Sequence, residues 1–230
     1  LYLGSDDLKA ARFLGDAVAA RSLGDAFAAR WGRWGVWDHG FMRKHFSSAE
    51  YQLGLGFERL GVGVVCSETL DLSIRTLKLA LSLALEGTGD LARAVEVARE
   101  LELEFWNRDV IRLVLADQYA ELGSFEAILE LTDGVTNKYN CGALLCVYRG
   151  MAARQLGQYG TSLEALKEAL KSEQRLPTIR FSALSERSRT HQAAGNPVAA
   201  RRDLRRILAE NASIPGIRER LEALGGWERG

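Results

Sequence analysis

Proline, cysteine and net charge are all scarce in this chain of 230 residues, which has 3 prolines, 3 cysteines and 30 basic side chains against 30 acidic ones. Alanine, leucine, arginine and glutamate dominate instead, and these residues favour helices. The composition therefore disfavours an all-β fold and long disordered segments. The balance of charge argues against wholesale binding to nucleic acid or to acidic membranes.

The cysteines are too few and too irregular for a disulfide framework. They are Cys66, Cys141 and Cys146, and the last two are five positions apart, which is not a metal-ligand spacing of the CxxC kind. We interpret them as small buried hydrophobic residues in a reducing compartment. The sequence thus predicts a cytoplasmic location.

Long hydrophobic runs are also missing. The most apolar stretch, Leu77 to Leu85, ends at Glu86 and is far shorter than the roughly 20 residues that span a bilayer. We predict no membrane segment in this chain. Charged residues interrupt the first twenty positions, so no signal peptide is visible. The chain opens on Leu1 without an initiator methionine, and we expect the natural start to lie upstream.

Motifs that carry catalysis are absent from the sequence. The three histidines, His39, His45 and His191, form no HExxH pattern, and the chain has neither a GxxxxGK[ST] phosphate loop nor a GxSxG elbow. The pair Gly54 and Gly56 lacks the third glycine of a dinucleotide-binding loop. We therefore predict a protein that is not an enzyme, with no catalytic residue, no cofactor and no metal. We expect His191 to be packed between helices or to contact a partner.

An internal repeat is the strongest feature that is present. Glycines close amphipathic segments at spacings of 37, 28, 34, 34 and 38 residues, and they are Gly24, Gly61, Gly89, Gly123, Gly157 and Gly195. A period near 34 residues is the length of a unit of two helices. In each unit the glycine can turn the chain tightly between antiparallel helices.

Small residues lie seven positions before each of these glycines: Ala17, Gly54, Ser82, Ala116, Gly150 and Ser188. Further small residues lie five positions after several of them, including Ala94, Ser162 and Ala200, whereas Ile128 departs from the pattern. Bulky residues, among them Phe125 and Tyr159, lie two positions after. This pattern resembles the tetratricopeptide repeat (TPR), most closely over residues 68–210.

The resemblance implies an all-α fold, a right-handed superhelix or α-solenoid of antiparallel helix pairs. We predict pairs at 68–102, 107–134, 142–173 and 178–210. Asn196 and Pro197 are predicted to start the second helix of the last pair. A capping helix is predicted at 215–224, because a solenoid needs a polar-faced end. The predicted domains are an N-terminal helical segment of degenerate repeats at 1–66 and a TPR-like domain at 67–230.

The first third is less regular. The segment from Ser47 to Leu60 is predicted as a first repeat helix, but the glycines and valines of residues 61–66 are poor helix material. Since the 28-residue spacing is six short of the period, either residues are absent around 62–66 or the chain makes a short β-like excursion. The same interruption occurs around 135–141.

Two clusters remain open to more than one interpretation. Trp31, Trp34, Trp37 and Phe41 alternate with arginines, which suits core packing, a protein interface or stacking on bases. Residues 86–133 carry a net charge of −8, from twelve acids and four bases, and residues 178–230 carry +4, from ten arginines and six acids. The basic part contains an arginine cluster, which forms either a solvated face or a site for an acidic partner: Arg201, Arg202, Arg205 and Arg206.

In TPR proteins the first helix of each pair lines a concave groove. Carried over by position relative to the turn glycine, the predicted partner-binding residues are Leu79, Leu83, Leu113, Asp117, Glu121, Val147, Met151, Arg154, Gln155, Arg189 and Gln192. The lysines and asparagine that let some members grip a carboxylate tail are not at the matching positions.

The predicted function is a non-catalytic scaffold for protein–protein interaction that binds a peptide or a helix, including one from its own chain, in this groove. The alternatives are a regulatory or assembly domain of a larger protein and an RNA-binding helical repeat. A protein or peptide is the expected partner, nucleic acid is disfavoured, and head-to-tail contact between acidic and basic regions would give a homo-oligomer.

Overall fold

The computed structural model describes residues 51–57, 60, 62–70, 74–104, 108–171 and 176–225. These residues fall into two compact units. The first contains Ser67–Leu122 and the second contains Leu55–Cys66 together with the chain from Gly123 onward. The predictions made for residues 1–50, including the tryptophan run and the turn at Gly24, lie outside the described residues. The predicted domain boundary between 66 and 67 stays a prediction.

A β-hairpin precedes the helices. Strands β1 (Tyr51–Phe57) and β2 (Val62–Leu70) form a two-stranded sheet. The short link between them permits only an antiparallel pair, because parallel strands need a crossover of about a dozen residues. The predicted helix over Ser47–Leu60 is therefore wrong at 51–57, and the β-like excursion is what the structure contains.

The strand pattern was visible in the sequence. Apolar residues alternate in β1 at Tyr51, Leu53, Leu55 and Phe57, which is the period of a strand rather than a helix. Glycines occupy two of the intervening positions and weaken a helix by about 1 kcal/mol each. The valines of β2 are β-branched and fit a pleated strand.

Three helices lie in the described part of the first unit: α1 (Ile74–Thr88), α2 (Leu91–Glu104) and α3 (Arg108–Leu122). Helix α1 packs on α2, and α2 packs on α3. The predicted pair at 68–102 is thus confirmed from Ile74, whereas residues 68–70 belong to β2. A buried seam runs through α2, where Ala94, Ala98 and Leu101 are each 0% exposed.

The second unit contains α4 (Phe125–Leu131), α5 (Asn140–Gln155), α6 (Tyr159–Ala169), α7 (Pro177–Ala193), α8 (Pro197–Glu210) and α9 (Ile217–Ala223). Helix α5 packs on α4 and α6, α7 packs on α5, α6 and α8, and α8 packs on α9. Within this unit the pair α7–α8 therefore stacks on the pair α5–α6. The helix bounds agree with the predicted pairs to within a few residues.

The predicted turn glycines that the structure describes, from Gly89 to Gly195, act as predicted, whereas Gly61, like Gly24, lies outside the described residues. Gly157 has φ +74° and Gly195 has φ +75°, the left-handed region that a side chain disfavours. The Gly157 N–H donates to the carbonyl oxygen of Arg154 at 3.0 Å, and the N–H of Gln158 donates to that of Ala153 at 2.8 Å. These two bonds form a Schellman motif, which ends a helix and reverses the chain.

Small residues bring paired helices together as the repeat pattern predicts. A Cβ added to Gly150 of α5 would lie 2.5 Å from Cγ of Leu166 in α6, so only glycine fits at this crossing without a shift. The start of α8 also follows the prediction, because the Asn196 side chain accepts a hydrogen bond from the Ala199 N–H at 3.1 Å.

Helix α9 closes the apolar end of the second unit. Its Ile217 and Leu221 pack into a buried cluster with Leu184 of α7 and with Leu204 and Ile207 of α8. The Arg201 guanidinium donates to the Leu224 carbonyl oxygen at 2.7 Å and so satisfies the end of α9. The predicted capping helix at 215–224 is confirmed, with α9 beginning at Ile217.

Candidate functional site

The predicted groove positions of the second unit lie on α5 and α7. We call the surface that they share the first-helix face, defined by Val147, Met151, Arg154 and Gln155 of α5 and by Ser185, Arg189 and Gln192 of α7. The helices are held together by direct packing. The face is therefore part of a rigid pair of neighbouring repeats and not of a loop.

The apolar and polar members of this face differ in exposure. Val147 is 0% exposed and Met151 is 7% exposed, so both belong to the interior. Gln155 and Gln192 are exposed, and the Arg189 side chain is 45% exposed. The polar members are therefore the ones that a partner can reach in this structure.

A buried carboxylate organises the face. Glu186 of α7 is 2% exposed, and its Oε2 accepts hydrogen bonds from Nε and Nη2 of Arg154, both at 3.3 Å. Its other carboxylate oxygen accepts from Arg189 on the next turn of α7. Because both oxygens are paired with guanidinium groups, the burial of this charge is compensated.

A third arginine joins from the capping helix. Arg220 Nη1 donates to Oγ of Ser185 at 2.7 Å, and its Nη2 donates to the Ser185 carbonyl oxygen at 3.3 Å. Burial lowers the pKa of the Arg220 guanidinium, and the positive charges of Arg189 and Arg154 lower it further, while Glu186 opposes them. We call this group, Arg154, Ser185, Glu186, Arg189 and Arg220, the Glu186 cluster.

The sequence prediction found part of this cluster. Arg154 and Arg189 were predicted by position, whereas Glu186 and Arg220 were missed because neither lies at a family groove position. A signal was available for Glu186, since it is 32 positions after Arg154, which is close to one repeat. Opposite charges one repeat apart on first helices are candidates for such a pair.

The predicted groove positions of the first unit are mostly interior. Leu79, Leu83 and Leu113 are 1%, 8% and 0% exposed, and Asp117 is 8% exposed, while Glu121 is exposed. Beside them Gln118 Nε2 donates to Oγ of Ser82 at 2.9 Å. In this unit too, a polar member of the predicted set, Glu121, is the one that solvent reaches.

The basic region near the C-terminus has mixed roles. Arg201 of α8 is half-buried where it contacts the end of α9, whereas Arg202, Arg205 and Arg206 of the same helix are exposed. Arg187 pairs through two hydrogen bonds with Asp203, which is 0% exposed. His191 Nε2 lies 4.0 Å from the same carboxylate, so this histidine packs between α7 and α8, as one of its two interpretations predicts.

Neither a metal centre nor a membrane span is found in the described part of the chain. No group of three or more His, Cys, Asp or Glu side chains among those residues is arranged to hold a metal ion. No described helix combines the length and the apolar character needed to cross a bilayer. Among the described residues, Cys141 and Cys146 are not joined in a disulfide.

Comparison with known proteins supports the fold. No protein-family model matches the sequence, and no curated protein matches it. Among solved structures, a thermophilic TPR protein of Thermus thermophilus is similar, with 20% sequence identity and a TM-score of 0.53. The similarity covers 65% of this chain and 80% of that one. Together with the packed helix pairs and their glycine turns, it shows that this chain has a TPR-like, helical-repeat fold.

Proposed function

We propose that the chain is a non-catalytic scaffold that binds a peptide or helix of a protein partner on the first-helix face. TPR folds generally mediate protein interactions and are generally non-catalytic, which supports a role as an interaction scaffold. A cytoplasmic location belongs to the same proposal, in keeping with the sparse cysteines.

The observation that carries the proposal is the Glu186 cluster. Its charged groups are held in place by one another, because Glu186 is paired on both oxygens and Arg220 is fixed to Ser185. Arg189 nevertheless keeps 45% of its side chain exposed. A polar group that is ordered before binding loses little entropy when a partner arrives, so it is suited to recognition.

The exposed amides extend this polar surface. Gln155 follows Arg154 on α5, and Gln192 follows Arg189 by three positions on α7. Each amide offers two donors and an acceptor to the main chain of a bound peptide. An extended peptide with mixed charge and apolar anchors fits a face of this kind, at an affinity of about 1 μM.

A displayed library of random peptides, selected on the intact chain, provides the test. We expect selected peptides to lose at least about 10-fold in affinity, measured by fluorescence anisotropy, when Arg189→Gln removes this charge from the face. Glutamine is the substitute because its amide can still donate to Glu186. Arg206→Gln is the matched control, because Arg206 is an exposed arginine of α8. Charge reversal at Arg154 or at Arg189 is unsuitable, since it would place a second carboxylate against the buried Glu186.

Two results would contradict the proposal. Selection that yields no binding peptide would reject the scaffold function on this face. Peptides that bind Arg189→Gln and Arg206→Gln with equal affinity would place the binding surface elsewhere on the chain.

A further inference from the structure

The tip of the β-hairpin is attached to α7. Oγ of Ser182 donates a hydrogen bond to the backbone carbonyl oxygen of Leu60 at 2.8 Å, across 122 positions of sequence. Both residues are nearly removed from solvent, with Leu60 7% and Ser182 4% exposed. The contact lies within the second unit, which includes Leu55–Cys66. The hairpin tip is therefore held at one defined position on a repeat helix.

That position lies on the same side of α7 as two members of the first-helix face. Ser182 precedes Ser185 by three residues and Arg189 by seven, and this spacing places all three on one side of a helix. Ser185 and Arg189 are themselves members of the Glu186 cluster. The tip consequently contacts α7 about one helical turn, or roughly 5 Å, from the cluster.

The mode of contact is that of a peptide ligand. The main-chain carbonyl oxygen of Leu60 accepts a hydrogen bond from the Ser182 side chain, and Leu60 is itself a buried apolar residue. Extended peptides are commonly bound in this way, through main-chain hydrogen bonds with pockets for selected side chains. A hairpin of two strands is only marginally stable by itself, so attachment to α7 also helps to hold its tip.

We propose that the hairpin, through Leu60, is an internal ligand of α7 beside the Glu186 cluster, which a peptide partner must displace when it extends along α7 from Arg189 to Ser182. This inference depends on the proposed function, because it assigns a competitor to the same face. The apparent affinity for a partner is proportional to the fraction of molecules in which Leu60 is detached from α7. Loss of the burial of the Leu60 side chain raises the fraction of detached molecules on the order of 10-fold.

Hydrogen exchange on the unmodified chain tests the displacement directly. The probe is a peptide selected from the random library and shown by anisotropy to bind. We expect its addition to accelerate amide exchange in residues 55–66 by at least about 10-fold. A peptide that binds through Arg189 but leaves exchange in 55–66 unchanged would overturn this inference while the proposed function stands. Failure of every peptide to bind would reject both.

A substitution gives the second measurement. Leu60→Asp removes the apolar anchor, and we expect it to tighten peptide binding at least about 10-fold. Leu103→Asp is the matched control, because Leu103 is 80% exposed on α2, and it should leave the affinity unchanged. Circular dichroism checks that both variants keep their helix content. Equal affinities of folded Leu60→Asp and wild type would overturn the inference.

Discussion

Oγ of Ser188 donates a hydrogen bond to the backbone carbonyl oxygen of Ala200 at 3.1 Å, which joins α7 to α8. The two residues lie seven positions before and five positions after Gly195. Ser82 and Ala94, at the same distances from Gly89, make the same bond at 2.9 Å between α1 and α2. One spacing rule therefore produces one helix–helix contact twice in the chain.

Ser188→Ala should destabilise the protein by about 1 kcal/mol, since a buried hydrogen bond between α7 and α8 is lost. Ser82→Ala should cost more, because Ser82 also accepts from the buried Gln118 amide. Urea denaturation followed by circular dichroism measures both. Equal and negligible losses would show that these bonds contribute nothing to the packing of the pairs.

Gly150→Ala should destabilise the protein by about 1–3 kcal/mol, because the new methyl group would overlap the Leu166 side chain. Gly160→Ala is the control in the neighbouring helix. A Cβ at Gly160 would meet nothing within 4 Å, and alanine is the better helix former, so this variant should gain up to about 1 kcal/mol. Thermal or urea unfolding of the two variants should give shifts of opposite sign.

Asp203→Asn should destabilise the protein by about 3–5 kcal/mol, because it removes the charge of a fully buried carboxylate and leaves the mostly buried Arg187 guanidinium without it. The control is Glu164→Gln, which breaks the exposed pair with Lys167 and should change stability by no more than about 0.5 kcal/mol. If both changes are equally mild by chemical denaturation, the Arg187–Asp203 pair does not hold α7 on α8.

Stability should rise with pH through the region just below 6.5 because of His191. Burial, helped by the charges of Arg187 and Arg202 and opposed by Asp203, lowers the pKa of His191 below its ordinary 6.5. The unfolded chain therefore binds more protons than the folded chain between the two pKa values, so acid favours unfolding. Above 6.5 the contribution is complete, and it is lost as the pH falls through the folded pKa.

The slope of unfolding free energy against pH, from urea denaturation between pH 5 and 8, measures this effect. His191→Gln should flatten the slope, whereas the remaining histidines contribute equally to both proteins. An unchanged slope in the variant would assign the pH dependence to other groups.

Much of the fold followed from local sequence. The helix pairs, the turn at Gly157 and the start of α8 at Asn196 and Pro197 depend on short-range rules of periodicity, left-handed glycines and capping. The incorrect helix prediction at 51–57 had a local cause as well. Gly54 fits the repeat spacing at seven before Gly61, but the alternation of apolar residues there is that of a strand, and the strand pattern prevailed.

The candidate site was predictable only in outline. The groove positions on α5 and α7 follow from the repeat, but their exposure does not. Val147 and Met151 are interior, whereas Arg189 and Gln192 face solvent. Whether these residues contact a partner stays a prediction, which the Arg189 variant tests.

The sequence alone determined the helix bounds from Ile74 onward and the described glycine turns, because each depends on residues within about one helical turn of one another. The repeat length then follows from the spacing of those glycines along the chain. The tertiary structure decided the partners across repeats: Arg154 with Glu186, Ser185 with Arg220, and Leu60 with Ser182. Those pairs join residues 32, 35 and 122 positions apart. Helical periodicity places a side chain on a face, but only the stacking of one helix on another determines which charge or carbonyl it meets there.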